Sequence, residues 1–136
     1  NHKVEDVATI EAFYKNPDFV HDFYNQMRKD LINKTPNPAH LALTELQKNF
    51  DGEVYIITQN IDTLHEKANS QNILHMHGQI NELVCLNCGK THTTWGNSSS
   101  ETTCPFCEKE GFIKPNIVRM RYITHVTCSF SKPSAL

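Results

Sequence analysis

Apolar residues recur at helical spacing over the first third of the chain. Behind Pro17 they lie about one turn apart, and the pattern comprises Phe19, Val20, Phe23, Tyr24, Met27 and Leu31. This spacing predicts an amphipathic helix. Residues 35–38 (TPNP) interrupt the pattern, and Asn37 followed by Pro38 is typical of the cap and first position of a second helix. We therefore predict that residues 1–52 form a helical module.

Short β-branched runs replace the helical pattern after residue 52. Residues 54–58 (VYIIT) and 73–77 (ILHMH) predict two strands, and residues 62–68 (DTLHEKA) between them predict a short helix. A strand, a helix and a strand in this order are typical of parallel α/β units. We therefore predict an α/β fold in which residues 53–80 form part of a Rossmann-like core with a parallel sheet.

The next part of the chain carries two C-x2-C pairs with fifteen residues between them. Two residues between thiolates let one tight turn present both sulfurs to one metal ion, and two such turns form a tetrahedral site. The pattern predicts one structural zinc ion, with the ligands Cys85, Cys88, Cys104 and Cys107. Four thiolates leave no open coordination position, so the metal is expected to fold an inserted zinc ribbon at residues 81–113 and not to catalyse. From spacing alone, two disulfides or four unrelated buried cysteines remain alternatives.

Polar segments lie within and behind the predicted ribbon. Residues 96–103 (GNSSSETT) form a polar loop between the cysteine pairs, and no Lys or Arg follows Lys90 before the second pair. This argues against a phosphate-binding face. Residues 114–136 end in a stretch without clear period, which we expect to be a weakly ordered tail from about residue 119. The fifth cysteine, Cys128, is expected to be a lone thiol with no role.

The composition narrows the class of protein. The chain has 136 residues, a hydrophobic fraction of 38%, a charged fraction of 21%, a formal net charge of -2 and a sequence pI of about 6.5. These values fit one globular domain and argue against nucleic-acid binding. The sequence lacks the run of about 20 apolar residues that a membrane span needs. The oligomeric state stays unknown.

Cysteine usage indicates the compartment. Two C-x2-C pairs suit a metal site in a reducing compartment better than a disulfide framework. Residues 1–6 (NHKVED) lack the apolar segment of a signal peptide, and the absence of an initiator Met indicates a processed or cut N-terminus. We expect an intracellular protein, either mitochondrial or cytoplasmic.

Candidate binding residues follow the first predicted strand. Gln59, Asn60 and Asp62 lie at its carboxyl end, which is where ligands bind in parallel α/β sheets. Their side chains offer donors and acceptors for an amide or a sugar hydroxyl. An ordinary turn in which Asp62 caps the next helix is the alternative.

A candidate catalytic histidine follows the second predicted strand. His77 stands before Gly78, which lets the backbone turn, and an imidazole in this place can act as a general base. A structural role is the alternative. His75 would share the same face of the strand, so the sequence does not separate the two, and His65 is a weaker candidate.

Together these segments resemble the sirtuins, the NAD-dependent protein-lysine deacylases. The resemblance is carried by residues 58–68 (TQNIDTLHEKA), residues 73–78 (ILHMHG) and the four cysteines of the two pairs. Further similarity lies in residues 4–9 (VEDVAT), 23–25 (FYN), 36–40 (PNPAH) and 114–118 (KPNIV). The resemblance runs from about residue 3 to residue 118.

The resemblance implies a role for each matching residue. His77 corresponds to the catalytic base, which takes a proton from a ribose hydroxyl while the acyl oxygen attacks the anomeric carbon. Asn60 and Asp62 correspond to residues that line the nicotinamide pocket, Gln59 to a contact with the NAD ribose, and Tyr24 to a substrate contact. The implied cofactors are NAD and Zn²⁺, and the implied partners are proteins with acylated lysines. The acyl group passes to ADP-ribose, and nicotinamide is released.

Three departures from the family pattern are visible. The glycines are too far apart for G-x-G-x-x-G, so the family's glycine-rich phosphate loop is expected upstream of residue 1. After Val118 the sequence leaves the family pattern, as in a truncated, spliced or read-through product. Overall similarity leans to the desuccinylase-type (class III) branch, but Met27 stands where that branch has Arg. Arg28 lies about 100° further round the helix, so the acyl preference stays open.

Two hypotheses result. The first is a fragment of an NAD-dependent protein deacylase that is inactive as an isolated chain. The second, from another class, is a catalytically inactive zinc-ribbon module that acts through protein contacts. The sequence leaves the protein substrate open.

Overall fold

The chain forms helices in its first half and antiparallel strands around the cysteines. The computed structural model describes residues 7–118. In this range the helices are α1 (Ile10–Lys15), α2 (Pro17–Leu31), α3 (Pro38–Asn49) and α4 (Leu64–Lys67). The strands are β1 (Ile56–Thr58), β2 (Ile73–His75), β3 (Gly78–Cys85), β4 (Thr91–Thr93) and β5 (Ile113–Ile117). Cys128 and the predicted tail lie outside the described residues.

The two helices predicted from apolar spacing are confirmed, and both begin at side-chain caps. Before α2, Asn16 Oδ1 accepts the N–H of Phe19 at 3.1 Å. Before α3, Asn37 Oδ1 accepts the N–H groups of Ala39 and His40 at 2.9 and 3.1 Å, and His40 Nδ1 accepts the N–H of Asn37 in return. These bonds satisfy N–H groups that the first turn of a helix leaves without partners.

The predicted parallel unit is confirmed. β1 and β2 pair in parallel, with Ile56 opposite Ile73 and Thr58 opposite His75, and α4 forms part of the connection. The carboxyl ends of both strands therefore meet at one edge, as the sequence analysis required of a ligand site.

The elements of this unit are shorter than predicted, and one correction affects the site. β2 ends at His75, so His77 lies in the turn before β3 and not at the end of a strand. The cause is Gly78, whose φ of +83° turns the backbone and whose partner across the sheet is Ile117 of β5. The prediction that His75 and His77 share a strand face is therefore wrong.

The cysteine-bearing segment forms a three-stranded antiparallel sheet in the order β4-β3-β5. β3 begins beside the parallel unit and ends at Cys85, opposite Ile113 of β5. The backbone curls sharply after each pair, because Gly89 and Glu108 both have positive φ, of +73° and +58°. The sheet thus connects the cysteines directly to the turn that carries His77.

An apolar cluster packs α2 against this sheet. Its buried members are Val7, Phe13, Val20, Tyr24, Ile80 and Ile117.

Lys67 fixes the end of α2, since its Nζ donates to the carbonyls of Leu31, Ile32 and Lys34 at 3.2, 2.8 and 2.9 Å. These contacts satisfy carbonyls that a helix end leaves free. Between residues 7 and 118, none of the helices is long and apolar enough to cross a membrane.

Candidate active site and zinc centre

The four predicted ligands form one cluster. Their Sγ atoms all lie within 4.8 Å of one another. The Sγ atoms of Cys85 and Cys107 are 3.8 Å apart, as are those of Cys88 and Cys104. A tetrahedral zinc ion with Zn–S bonds of about 2.3 Å requires S···S distances of about 3.8 Å. The cluster therefore fits zinc, whereas a disulfide would bring two sulfurs to about 2 Å, and all four cysteines are free thiols.

Hydrogen bonds at the cluster favour the thiolate of Cys104. Burial raises the pKa of the Cys104 thiol, but hydrogen bonds from the backbone N–H groups of Cys107 and Phe106 outweigh it and lower this pKa to about 6. Asn87 Nδ2 donates to Cys107 Sγ at 3.5 Å, and Lys109 Nζ donates to Asn87 Oδ1 at 3.1 Å. Such outer contacts orient the ligands and stabilise their negative charge.

A cavity of about 380 Å³ lies between α2 and the turn after β2. His77 supplies its imidazole, and the remaining lining residues are Val7, Ala8, Phe23, Tyr24, Met27, Ile61, Ile117 and Val118. The imidazole of His77 therefore faces an otherwise largely apolar space. Pockets that hold small substrates have this character.

The backbone fixes the tautomer of His77. Its Nδ1 lies 3.1 Å from the carbonyl oxygen of Gln59. Because a carbonyl only accepts, Nδ1 carries the hydrogen, and the lone pair of the neutral ring is on Nε2. The N–H of Val118 donates to the His77 carbonyl at 3.1 Å and holds the turn itself. The imidazole is therefore oriented to accept a proton at Nε2.

The structure separates His77 from the other two histidines. His75 Nδ1 lies 2.9 Å from the Asn60 carbonyl oxygen and its Nε2 lies 2.7 Å from Glu66 Oε1, so both ring nitrogens have partners. His65 lies against His40, with ring centroids 4.7 Å apart, and burial lowers its pKa. Neither His75 nor His65 lines the cavity.

The predicted cofactor residues lie together at the end of β1 but contribute in different ways. The side chains of Gln59 and Asn60 are exposed, while their carbonyls hold His77 and His75. Asp62 Oδ1 accepts the N–H of Leu64 at 3.0 Å, but the N-cap of α4 is Thr63, so the alternative interpretation of Asp62 as the cap is wrong. Of this loop, Ile61 lines the cavity.

The predicted substrate residue lies in the cavity wall. Tyr24 is 3% exposed, and burial raises its pKa to about 12. Phe23 packs edge-on against it, with ring centroids 5.2 Å apart. Met27 lies one turn further along the same face of α2 and also lines the cavity.

Arg28 belongs to a buried polar network on the neighbouring face of α2. It is 1% exposed. Its Nε donates to the Gly96 carbonyl at 3.1 Å, one terminal nitrogen donates to the Ile80 carbonyl at 3.2 Å, and the other donates to Asn25 Oδ1 and to Ser98 Oγ. The guanidinium thus fastens the polar loop of the ribbon to the helix that carries Tyr24 and Met27.

Two further side chains of α2 complete the network. Asn25 Nδ2 donates to the Ser98 carbonyl at 2.8 Å, and His21 Nδ1 lies 2.8 Å from Ser98 Oγ. The sequence does not reveal this role directly, because residues 96–103 have the composition of an ordinary polar loop. The sequence feature that indicates the network is a set of polar residues at spacings of four and three in α2. These residues are His21, Asn25 and Arg28, and the spacing places all three on one helix face.

We expect that Arg28→Met destabilises the chain by about 2 kcal/mol. The change keeps much of the apolar stem but removes the donor to the buried carbonyl of Ile80 and to the part-buried carbonyl of Gly96, and a buried acceptor without a donor is the costly case for a lost hydrogen bond. Urea unfolding followed by circular dichroism measures the loss. Lys29→Met, at the exposed neighbouring position, is the matched control. Equal midpoints for both variants would contradict the network's role.

Comparisons with known proteins agree with the geometry. A model described as the Sir2 family matches residues 1–120. An NAD-dependent protein deacylase of Vibrio cholerae is 45% identical over 120 residues, which cover 87% of this chain and 49% of that protein. One of Bdellovibrio bacteriovorus is 42% identical over 128 residues, which cover 92% of this chain and 54% of that protein. The chain thus spans about half the length of the curated relatives it matches.

Solved structures show the same fold. A Sir2 homologue in complex with NAD matches 87% of this chain and 46% of its own, with a TM-score of 0.76 and 30% identity. A Sir2 protein bound to a myristoylated histone peptide matches 84% of this chain and 49% of its own, with a TM-score of 0.60 and 35% identity.

The fold and the site define a Rossmann-like α/β protein with an inserted four-cysteine zinc ribbon. The chain belongs to the Sir2 family.

Proposed function

We propose that this chain supplies the catalytic histidine and the acyl-lysine pocket of an NAD-dependent protein deacylase. The observation that carries the proposal is the fixed orientation of His77. Its Nδ1–H is held by the Gln59 carbonyl, and the ring lines an apolar cavity together with Tyr24. A general base needs such an orienting partner and a lone pair that faces the reacting group.

The carboxyl ends of β1 and β2 fit the cofactor NAD. Gln59 and Asn60 expose amide side chains there, next to the turn that carries His77. Amides can bond ribose hydroxyls and a carboxamide, so Gln59 contacts the ribose in our proposal, and Asn60 and Asp62 line the nicotinamide pocket. When bound, NAD supplies the carbon that receives the acyl oxygen and the nicotinamide that leaves.

The chain's own residues have two tasks in this reaction. His77 Nε2 accepts the proton of a ribose hydroxyl. The apolar walls around Tyr24 and Met27 bind the acyl-lysine side chain and exclude water from the reacting atoms. Lysine-acylated proteins are the proposed partners. Two C-x2-C pairs whose four sulfurs form one metal-type cluster support a reducing, intracellular compartment in our proposal.

The test uses His77→Ala in a chimaera, because the relatives are about twice as long as the matched segment. This chain replaces the matched segment of the Vibrio cholerae relative. We expect NAD-dependent release of acyl groups from lysine peptides, and His77→Ala should lower kcat/KM by roughly 10²-fold or more, the usual size of a general-base effect. Zinc content and folding should stay near those of the unmodified chimaera, since His77 lies outside the cluster.

His75→Ala is the comparison variant. Its imidazole has partners on both nitrogens, so its loss affects stability more than the chemical step. If His75→Ala abolished turnover while His77→Ala left it intact, the assignment would be wrong. A chimaera that binds zinc and folds but deacylates no peptide would instead favour the zinc-ribbon interaction module.

A further inference from the structure

Four successive carbonyls, beginning with the last residue of β1, accept hydrogen bonds from residues 75–80. The outer two accept backbone N–H groups, at 2.9 and 2.7 Å. The inner two accept from imidazole rings instead. The carbonyl of Gln59 bonds His77 at 3.1 Å, and that of Asn60 bonds His75 at 2.9 Å. The orientation of these two peptide groups therefore depends on side chains and not on strand pairing.

The imidazole of His75 lies between two acceptors. Its Nδ1 faces the Asn60 carbonyl, which only accepts, so Nδ1 carries a hydrogen. Its Nε2 lies 2.7 Å from Oε1 of Glu66 on α4. A second hydrogen must lie between these two atoms, on the ring or on the carboxyl group, because a nitrogen lone pair and an ionised carboxylate repel each other. His75 and Glu66 therefore share one proton.

The shared proton lies at a different cavity from the one that His77 lines. This second cavity, of about 410 Å³, is lined by His75, Glu66 and Gln79 among others. Gln79 Nε2 donates to the same Oε1 of Glu66 at 3.2 Å. The other oxygen, Oε2, is buried and has no hydrogen-bond partner among residues 7–118. The carboxyl group is therefore stabilised through Oε1 alone.

The other titratable groups around the ring come from two elements. On α4, His65 lies close enough to His75 to interact with it electrostatically. On β3, Glu82 lines the same cavity and accepts a hydrogen bond from the amide of Asn116 on β5. β1 places the uncharged Thr58 opposite His75. In the described part of the chain neither Lys nor Arg lines this cavity, so no cation competes with the shared proton there.

We propose that His75 and Glu66 are positioning residues for the cofactor loop (residues 59–62), and that the proton they share holds Asn60 in place. The inference rests on the proposed deacylase function, in which Asn60 lines the nicotinamide pocket. The N–H of Asn60 donates to Thr58 Oγ1 at 3.0 Å, so the bond from His75 fixes the residue from its other side. The exposed amide side chain is then presented to a ligand in one orientation, which reduces the entropy lost on binding.

Loss of the shared proton should release the loop. Without it, Nε2 of His75 and Oε1 of Glu66 are both acceptors, so the ring turns away and its Nδ1 leaves the Asn60 carbonyl. We expect NAD to bind more weakly as the pH rises above neutral. The rate of the chemical step should change little, because His77 keeps its own contact with the Gln59 carbonyl.

The test measures NAD binding to the chimaera by isothermal titration calorimetry from neutral to alkaline pH. Glu66→Ala removes the partner of the ring and should raise the dissociation constant for NAD at neutral pH by roughly 5- to 10-fold, the usual size of one hydrogen bond. KM for NAD should rise in proportion, while kcat stays near that of the unmodified chimaera.

Glu66→Gln separates the shared proton from packing. Its amide N–H can donate to Nε2 of the neutral His75 ring at every pH. This variant should therefore bind NAD nearly as well as the unmodified chimaera and lose the weakening at alkaline pH. Glu45→Ala is the matched control, because it also removes a carboxylate with a partner at 2.7 Å, Lys48, but on the exposed face of α3. It should leave the affinity for NAD and its pH dependence unchanged.

The outcomes separate the inference from the proposed function. If the chimaera deacylates lysine peptides but a folded Glu66→Ala variant binds NAD equally well, the inference is overturned and the deacylase function stands. The same conclusion follows if alkaline pH does not weaken NAD binding, or if the weakening persists in Glu66→Gln. The last two comparisons decide the matter even where Glu66→Ala fails to fold. If the zinc-bound chimaera deacylates no lysine peptide, the proposed function fails and the inference fails with it.

Discussion

Replacing Cys104 with Ser is expected to weaken zinc binding by about 3 kcal/mol, or roughly 10²-fold. Structural zinc sites contribute about 10–16 kcal/mol of binding free energy through four ligands, and that free energy is also folding free energy. Cys104 is fully buried in a cluster with Leu83, Cys85 and Ile113. A serine hydroxyl there cannot replace a thiolate whose pKa is lowered to about 6. Zinc content after dialysis against a competing chelator, with thermal unfolding, measures the effect.

Cys128→Ser provides the control for this change. It makes the same chemical substitution at a cysteine outside both C-x2-C pairs. We expect one zinc ion per chain in this variant and in the unmodified protein. Equal zinc affinity of the Cys104 and Cys128 variants would contradict the four-thiolate site, as would a metal-free chain with two disulfides.

Loss of the metal ion should also change the cavity, because hydrogen bonds connect the cysteine-bearing segment to α2. Ile113 follows the second cysteine pair, and its carbonyl lies 3.2 Å from Nε2 of His21 on α2. Ser98, which lies between the two cysteine pairs, bonds Asn25 and Arg28 on the same helix. Tyr24 and Met27 line the cavity from that helix. The cysteine-bearing segment therefore positions the cavity, although none of its cysteines lines it.

Features that depend on local chemistry could be predicted from the sequence. α2 and α3 begin where Asn16 and Asn37 cap them, because a cap and an apolar stripe act within a few residues. The spacing of the cysteines determined the metal cluster in the same way. The parallel pairing of β1 with β2 followed from the order of strand and helix signals.

Features that depend on distant partners could not be predicted. The end of β2 at His75 is set by pairing of Gly78 with Ile117, which is almost forty residues further on. The difference between His75 and His77 depends on which backbone carbonyl each ring meets. In the sequence, Arg28 stands one residue after the position where the resembled branch has a pocket Arg. Only its contact with Ser98, 70 positions away, shows that it supports the ribbon.

The same distant pairing makes Gly78→Ala the second change with a large expected effect. A Cβ at Gly78 would lie 1.8 Å from the Asn116 carbonyl oxygen and 2.9 Å from its carbon. These are backbone atoms of β5, so the strand cannot make room without breaking its pairing with β3. The positive φ of +83° adds strain of about 1–2 kcal/mol for any L residue with a side chain.

We therefore expect Gly78→Ala to lower the free energy of unfolding by at least about 3 kcal/mol, as large steric and backbone effects do. Gly111→Ala is a close control, because Gly111 has the same φ of +83° but its Cβ would come no nearer than 3.8 Å to its closest neighbour, the Ser100 carbonyl oxygen. The control should lose only the stability that the positive φ costs a residue with a side chain. Urea unfolding of both variants gives the difference between their free energies of unfolding. Similar losses would mean that the clash relaxes at little cost. A larger loss for Gly78→Ala would show that the close approach of β3 and β5 holds the turn in which His77 meets the Gln59 carbonyl.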